Sequence, residues 1–304
     1  MNSSAEDIPE RVNWRLGKAV SMVASMLYLF PICINVGLAA IVLCGKFHKL
    51  RQPTYWILGH LLITYALLAF HRAASFFTDA VTSAKPVFNY VGWTGPAWLV
   101  GCLGQLCIMA TIRLVSVWTP HQWNNFRKSA HCSLKVNAAA AGTNLAYFIV
   151  VGLPWKLCTD VGFFCTLLKQ GALRGVEIMS ITVCLILTAV SYNCLRKSST
   201  KPAIGNGKKG HNEKMLLKIS TIDIAVAIIQ WLYSLFRRSV ITNLLMLNEE
   251  LIQPMMILNH SITFAYCLSS AAVYTLLSRD VKDAVFEVIR CGKRKISPNQ
   301  TQIT

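Results

Sequence analysis

The chain has 304 residues, 54% of them hydrophobic and only 14% charged. Soluble globular chains carry about 25% charged residues, so disorder is excluded and a soluble two-domain enzyme is disfavoured. Basic residues outnumber acidic ones by 30 to 13, a formal net charge of +17, which suits either a nucleic-acid surface or the loops of a membrane protein.

Where the charges sit decides between the two. Seven apolar runs of roughly 20 residues follow one another, each long enough to cross about 30 Å of hydrocarbon. They are Val20–Cys44, Thr54–Phe77, Ala97–Thr119, Leu134–Trp155, Gly175–Leu195, Met215–Phe236 and Gln253–Leu277. His60, His71 and Arg72 interrupt the second run, and Lys218 and Asp223 lie in the sixth. Most other charges fall between the runs, so no nucleic-acid partner is expected. The first run exceeds a signal-peptide core and reads as a retained span. The halves show no similarity of the kind that marks a duplicated transporter. The expected architecture is all-α. A seven-transmembrane helix bundle covers residues 20–277, after an extracellular segment 1–19 and before a cytoplasmic tail 278–304.

Lys and Arg in the short loops set the orientation. The segments 45–53, 120–133, 196–214 and 278–304 hold 17 of the 30 basic residues, and the opposite segments hold 9. The C-terminus is therefore expected in the cytoplasm and the N-terminus outside, in a multi-pass plasma-membrane protein. Asn2-Ser3-Ser4 is an N-glycosylation sequon on the outer side, and Asn299-Gln300-Thr301 is one on the inner side, where it stays unused.

The chain has eleven cysteines. Cys33, Cys102, Cys107, Cys184 and Cys267 lie within the runs and read as small buried hydrophobes. Cys158 and Cys165 share an outer loop, where they either pair or remain two thiols. Cys291 stands beside Arg290, Lys293, Arg294 and Lys295, a juxtamembrane setting for palmitoylation or a chance placement. No phosphate loop, His-Glu-x-x-His, Gly-x-Ser-x-Gly or zinc-ligand spacing appears, so no enzyme, cofactor or metal is expected.

Several positions resemble the rhodopsin-like G-protein-coupled receptors. Asn35-Val36 lies in the first span, where that family carries Asn-Val. Lys49-Leu50-Arg51-Gln52-Pro53-Thr54 is similar to its first inner loop. Thr111-Ile112-Arg113, with Pro120 seven residues on, matches the Arg and Pro of the D-R-Y-x5-P pattern. Ser270-Ala271-Ala272-Val273-Tyr274 keeps the Tyr of N-P-x-x-Y. Residues 278–290 resemble the family's short amphipathic eighth helix. Their apolar members Val281, Ala284, Val285, Val288 and Ile289 recur at helical spacing and give one face suited to the membrane interface.

The departures are equally visible. Thr64 or Tyr65 stands where the span-two Asp would be, and no Cys opens span three. Tyr233 replaces the Pro after Trp231, Cys184 lies near the expected span-five Pro, and Tyr192 lies near the family's inner Tyr. The Gly101–Pro120 stretch and Tyr55-Trp56-Ile57-Leu58 are similar to the nematode serpentine chemoreceptors, class X among them. The resemblance implies a chemosensory receptor that senses an extracellular small molecule and promotes nucleotide exchange on a heterotrimeric G protein.

It also implies roles for residues. Arg113, an intramembrane charge that costs roughly 2.5–3.5 kcal/mol at a span centre, needs a partner within the bundle or must extend to lipid phosphate. Glu213 lies 18 residues before Trp231, the separation at which the family places its acidic latch. The switch set is then Arg113, Glu213, Tyr192, Tyr274 and Pro120. The expected ligand-binding residues are His71, Arg72, Trp98, Glu177, Trp231 and His260, which suit a small, partly apolar, acidic ligand. Trp98 reads equally as an interface anchor. Phe264 lies ten residues before Tyr274, where opsins carry their retinal lysine, which disfavours an opsin. Asn35, His60, Gln105 and Asp223 are expected to form a polar network between spans, with a proton relay as the sharper alternative. The basic loop 196–214 contacts anionic lipid and offers a docking face for a G protein. Association between copies of the chain stays open. The rival reading is a transporter or a ligand-gated receptor channel subunit.

Overall fold

The computed structural model describes residues 18–44, 47–81, 94–157, 163–199, 207–236 and 252–296. Among the described residues the chain is helical and has no strand. Helix α1 spans Lys18–Leu43 and α2 spans Pro53–Ala80. Helix α3 spans Gly95–Trp118, and a short α4 follows over Pro120–Lys128. Helix α5 spans Cys132–Tyr147, passes into one π-helical stretch at Phe148–Gly152, and continues as α6 over Leu153–Leu157. Helix α7 spans Phe163–Ser199, α8 Gly207–Phe236, α9 Ile252–Leu277 and α10 Arg279–Ile296.

Local chemistry sets several of the boundaries. Gln52 is extended and Pro53 opens α2 at a position where its missing N–H costs nothing. Pro96 and Pro120 do the same for α3 and α4. Pro31 sits inside α1 and is buried there. Proline removes one donor from the helix ladder, and nearby the Asn35 amide donates to the Pro31 carbonyl at 2.8 Å.

Helix α2 is the centre of the molecule. Ile57, Leu58, Leu61, Leu62, Tyr65 and Ala69 are all fully buried. It is flanked by α1, α3, α5 and α9. On the opposite side α3 packs along α7, and α8 lies against α7 and α9. Gly95 and Gly104 are among the glycines that permit close approach. A Cβ on Gly95 would stand 2.3 Å from the His71 ring, and one on Gly104 would stand 2.0 Å from the Tyr147 ring. Any side chain at either position forces its neighbour aside.

The outer surface is apolar. Met26, Leu27, Phe30, Leu145, Ile149, Met179, Ile186 and Leu232 are exposed, whereas Asn35, Gln105, Arg113 and Asp223 are buried. So many exposed large apolar side chains beside buried polar ones are unusual for a soluble domain. Five helical stretches are long and apolar enough to cross a membrane: Lys18–Leu43, Pro53–Thr78, Gly95–Trp118, Cys132–Gly152 and Gly171–Cys194. Counting Ile257–Leu277 and Arg279–Arg290, bent by 91° at their junction, as one broken span makes six. The pattern fits a multi-pass membrane protein. The expected sixth run, Met215–Phe236, contributes a shorter apolar stretch, Thr221–Tyr233, because Lys218 precedes it and the helix starts among charged and polar residues.

Candidate functional site

The buried charge lies at the Trp118 end of α3. Arg113 is 6% exposed, and its Nη2 donates to the Tyr274 hydroxyl on α9 at 3.0 Å. That hydroxyl donates to the Met109 sulfur at 2.7 Å, one turn earlier on α3. Nη2 also lies 3.4 Å from the same sulfur. The Arg113 Nε and Nη1 atoms are buried and have no hydrogen-bond partner. The guanidinium is thus only partly satisfied.

A second buried ionisable side chain of this region is Asp223 on α8. Asp223 is buried, accepts from the Ser270 hydroxyl at 3.0 Å and feels the Arg113 charge. Ser270 lies one turn before Tyr274 on α9. Helices α3, α9 and α8 are therefore joined in sequence: Arg113 to Tyr274, then Ser270 to Asp223. Glu213, the expected partner of Arg113, belongs to α8, but its side chain lies outside the described residues.

The same end carries the sharp turn into α10. Tyr55 of α2 places its hydroxyl 3.2 Å from Ser278 Oγ and donates to Asp280 Oδ2 at 3.1 Å. Ser278 Oγ accepts from the Val281 N–H at 3.4 Å, which caps α10. Val281 and Ala284 of the expected apolar set are buried, while Val288, Ile289 and the neighbouring Phe286 are exposed. Lys49 and Asp283 add an exposed ion pair at 3.5 Å. Pro120 is the first residue of α4, beside this cluster in sequence but without a described bond to it. Tyr192 is 61% exposed and stands apart from it. A Tyr near the inner end of an amphipathic span offers no cue to which way it faces, and here α7 turns it outward.

The expected polar network divides into three. His60 Nε2 lies 3.0 Å from Asn137 Oδ1 on α5. Gln105 donates to the Ala140 carbonyl and to Asn144 Oδ1, each at 2.9 Å, and Asn144 donates to Thr64 Oγ1 at 3.2 Å. Thr64 in turn donates to the His60 carbonyl at 2.8 Å, so His60 and Gln105 share one network linking α2, α3 and α5. Asn35 instead donates to the Cys267 carbonyl at 2.8 Å, joining α1 to α9. Asp223 belongs with Ser270. The described hydrogen bonds do not join all four residues into a single network.

The expected ligand residues also divide. The Tyr28 hydroxyl donates to the His260 carbonyl at 3.1 Å, and the Phe76 and His260 rings meet at 4.2 Å. Phe264 packs edge-on against Tyr28 at 5.7 Å, and the Arg72 charge acts on Tyr28. His260 therefore belongs to one aromatic cluster between α1, α2 and α9, with Arg72 on α2 close enough for its charge to act on Tyr28. His71 instead abuts Gly95 of α3. Trp98 donates to Thr94 Oγ1 at 3.2 Å, and its ring lies 5.7 Å from Phe148. Glu177 is buried on α7 and paired with Arg174 one turn earlier. Trp231 is half-buried, with a buried indole N–H that has no hydrogen-bond partner. The six expected residues thus lie on five helices, α2, α3, α7, α8 and α9.

Tyr28 and Phe76 were not singled out by sequence, since aromatics in an apolar span carry no signal of their own. Asn144 was within reach. It lies seven residues after Asn137, two turns along one face of an otherwise apolar run.

Cys158 and Asn2 lie outside the described residues, as does the side chain of Cys291; the Cys158–Cys165 pairing falls outside with Cys158. Among the described residues no group of His, Cys, Asp and Glu is placed to hold a metal. No protein-family model and no curated protein matches this chain.

Proposed function

We propose that the chain is a seven-transmembrane receptor of the divergent chemosensory kind. It binds a small molecule from outside the cell and promotes nucleotide exchange on a heterotrimeric G protein. The observation that carries this reading is the Arg113–Tyr274 bond. It joins a buried, half-satisfied arginine on α3 to α9, directly above a sharp turn into an amphipathic helix.

The seven spans are the five long apolar helices together with α8 and α9. Helix α8 has 30 residues, about 45 Å at 1.5 Å per residue. Its Lys218 is exposed and can reach the interface along its alkyl stem, while Asp223 is buried against Ser270. Helix α10 is then the eighth, lying along the membrane surface with Phe286, Val288 and Ile289 toward lipid. The excess of basic residues in the loops and tail at this end supports the reading that it faces the cytoplasm.

The proposed switch has two arrangements. At rest Arg113 is held by Tyr274, and Asp223 by Ser270 one turn earlier on α9. Ligand binding at the far end displaces α8 or α9, frees the guanidinium, and offers its unpartnered donors to the C-terminal helix of a Gα subunit. The ligand side is the aromatic cluster of Tyr28, Phe76, His260 and Phe264 with Arg72, which suits a small, partly apolar acid.

The test is a ligand screen on cells expressing the chain with a second-messenger readout, followed by Arg113→Ala at matched surface level. Loss of ligand-driven nucleotide exchange in the variant is expected. Unchanged exchange overturns the switch role of Arg113, and ion or solute flux through liposomes holding the purified chain overturns the receptor reading.

A further inference from the structure

Helices α3 and α7 pack side by side, and at mid-height they bring two thiols together. Cys107 Sγ and Cys184 Sγ are 3.0 Å apart. The Cys107 thiol also lies 3.2 Å from the Ser180 carbonyl, one turn before Cys184 on α7. Cys184 Sγ in turn lies 3.9 Å from the Leu103 carbonyl, one turn before Cys107 on α3. Each sulfur is therefore aimed across the interface by its own helix. A disulfide needs a sulfur separation of about 2.0 Å, so closure requires roughly 1 Å of approach between side chains already facing one another.

The pair is reachable from one side. Cys184 is buried, but Cys107 lines an open cleft of about 490 Å³ between α3, α4 and α5, with Thr111, Phe126, Val136 and Tyr147 among its walls. Cys107 lies twelve residues after Gly95 and eleven before Trp118, halfway along the span. A charged reductant must shed its hydration to reach that depth, a cost that a small uncharged oxidant does not carry.

We propose that Cys107 and Cys184 form a reversible disulfide on exposure to a hydroperoxide, clamping α3 to α7. The Cys107 sulfur attacks the peroxide oxygen, the O–O bond breaks, and the thiol proton leaves with the departing oxygen as water or alcohol. The resulting sulfenic acid is attacked by the Cys184 sulfur. Its S–O bond breaks as the S–S bond forms, and the hydroxyl departs with the Cys184 proton as water. The two sulfurs lose two electrons and the peroxide gains them. The clamp lies six residues, about 9 Å, from Arg113 on the same helix. It requires only the packing of α3 on α7 and holds whatever the chain transduces.

The experiment uses the full-length chain in its membrane. Membranes are treated with hydrogen peroxide, free thiols are capped with N-ethylmaleimide after solubilisation, and proteolytic peptides are quantified by mass spectrometry. The expected result is parallel loss of capping at Cys107 and Cys184, a joined peptide lighter by two hydrogens than its two thiol halves, and recovery of both thiols with dithiothreitol. In Cys184→Ser, peroxide should leave Cys107 as a dimedone-reactive sulfenic acid with no joined peptide. Full capping of both thiols in the wild-type chain while the exposed Cys44 is consumed overturns the proposal. So does loss of Cys107 alone with Cys184 still capped.

Discussion

The two ends of the bundle are held by different forces. At the Arg113 end the contacts are directional and polar: guanidinium to phenol, phenol to thioether, serine to carboxylate, phenol to the Ser278 and Asp280 side chains. At the opposite end Tyr28, Phe76, His260 and Phe264 meet chiefly ring to ring, with one hydrogen bond from the Tyr28 hydroxyl to the His260 carbonyl. Ring contacts tolerate small sliding motions and hold their energy through buried area. Hydrogen bonds to a buried charge are made or broken, and a lost partner costs the full desolvation of the group left behind. The first kind of contact suits a surface that adapts to a ligand, and the second suits a switch with two positions.

Substitutions can break this contrast. The largest stability effect is expected from Phe76→Ala, which empties the aromatic cluster and should cost about 3–5 kcal/mol in thermal unfolding of the detergent-solubilised chain. Ligand potency should fall while basal nucleotide exchange stays as it was; a change in basal exchange would show that the two ends are not separable. Tyr274→Phe should cost less, about 1–3 kcal/mol, because it removes only the hydroxyl held by Arg113. It should raise exchange in the absence of ligand, and an unchanged basal rate would mean that the Arg113 contact merely packs α3 on α9. Lys49→Ala removes an exposed ion pair and should shift stability by less than about 0.5 kcal/mol. A larger shift would make the α10 turn a stronger anchor than its Tyr55 contacts suggest.

Periodicity and run length were enough to read most spans, because an apolar stretch of about 20 residues has few other fates. Met215–Phe236 was harder, since its charged start dilutes the apolar signal and only Thr221–Tyr233 stands out. The need of Arg113 for a partner was legible, as a lone charge inside an apolar run demands one. Its contact with Tyr274, 161 residues away, was not, because sequence carries the need for a partner but not the packing that supplies it. The same limit applies to Cys107 and Cys184: each alone reads as a small hydrophobe, and only the meeting of α3 and α7 gives the pair its chemistry.

The π-helical stretch at Phe148–Gly152 has a consequence for chain length. A π turn holds more residues than an α turn. Deleting one residue there lets the helix revert to regular geometry and leaves the flanking stretches facing as before. The same deletion at Thr143 would rotate everything beyond it by about 100° and swing Tyr147 away from Gly104. Within this span, Phe148–Gly152 is where evolution or a protein engineer can shorten the chain by one residue without turning its faces.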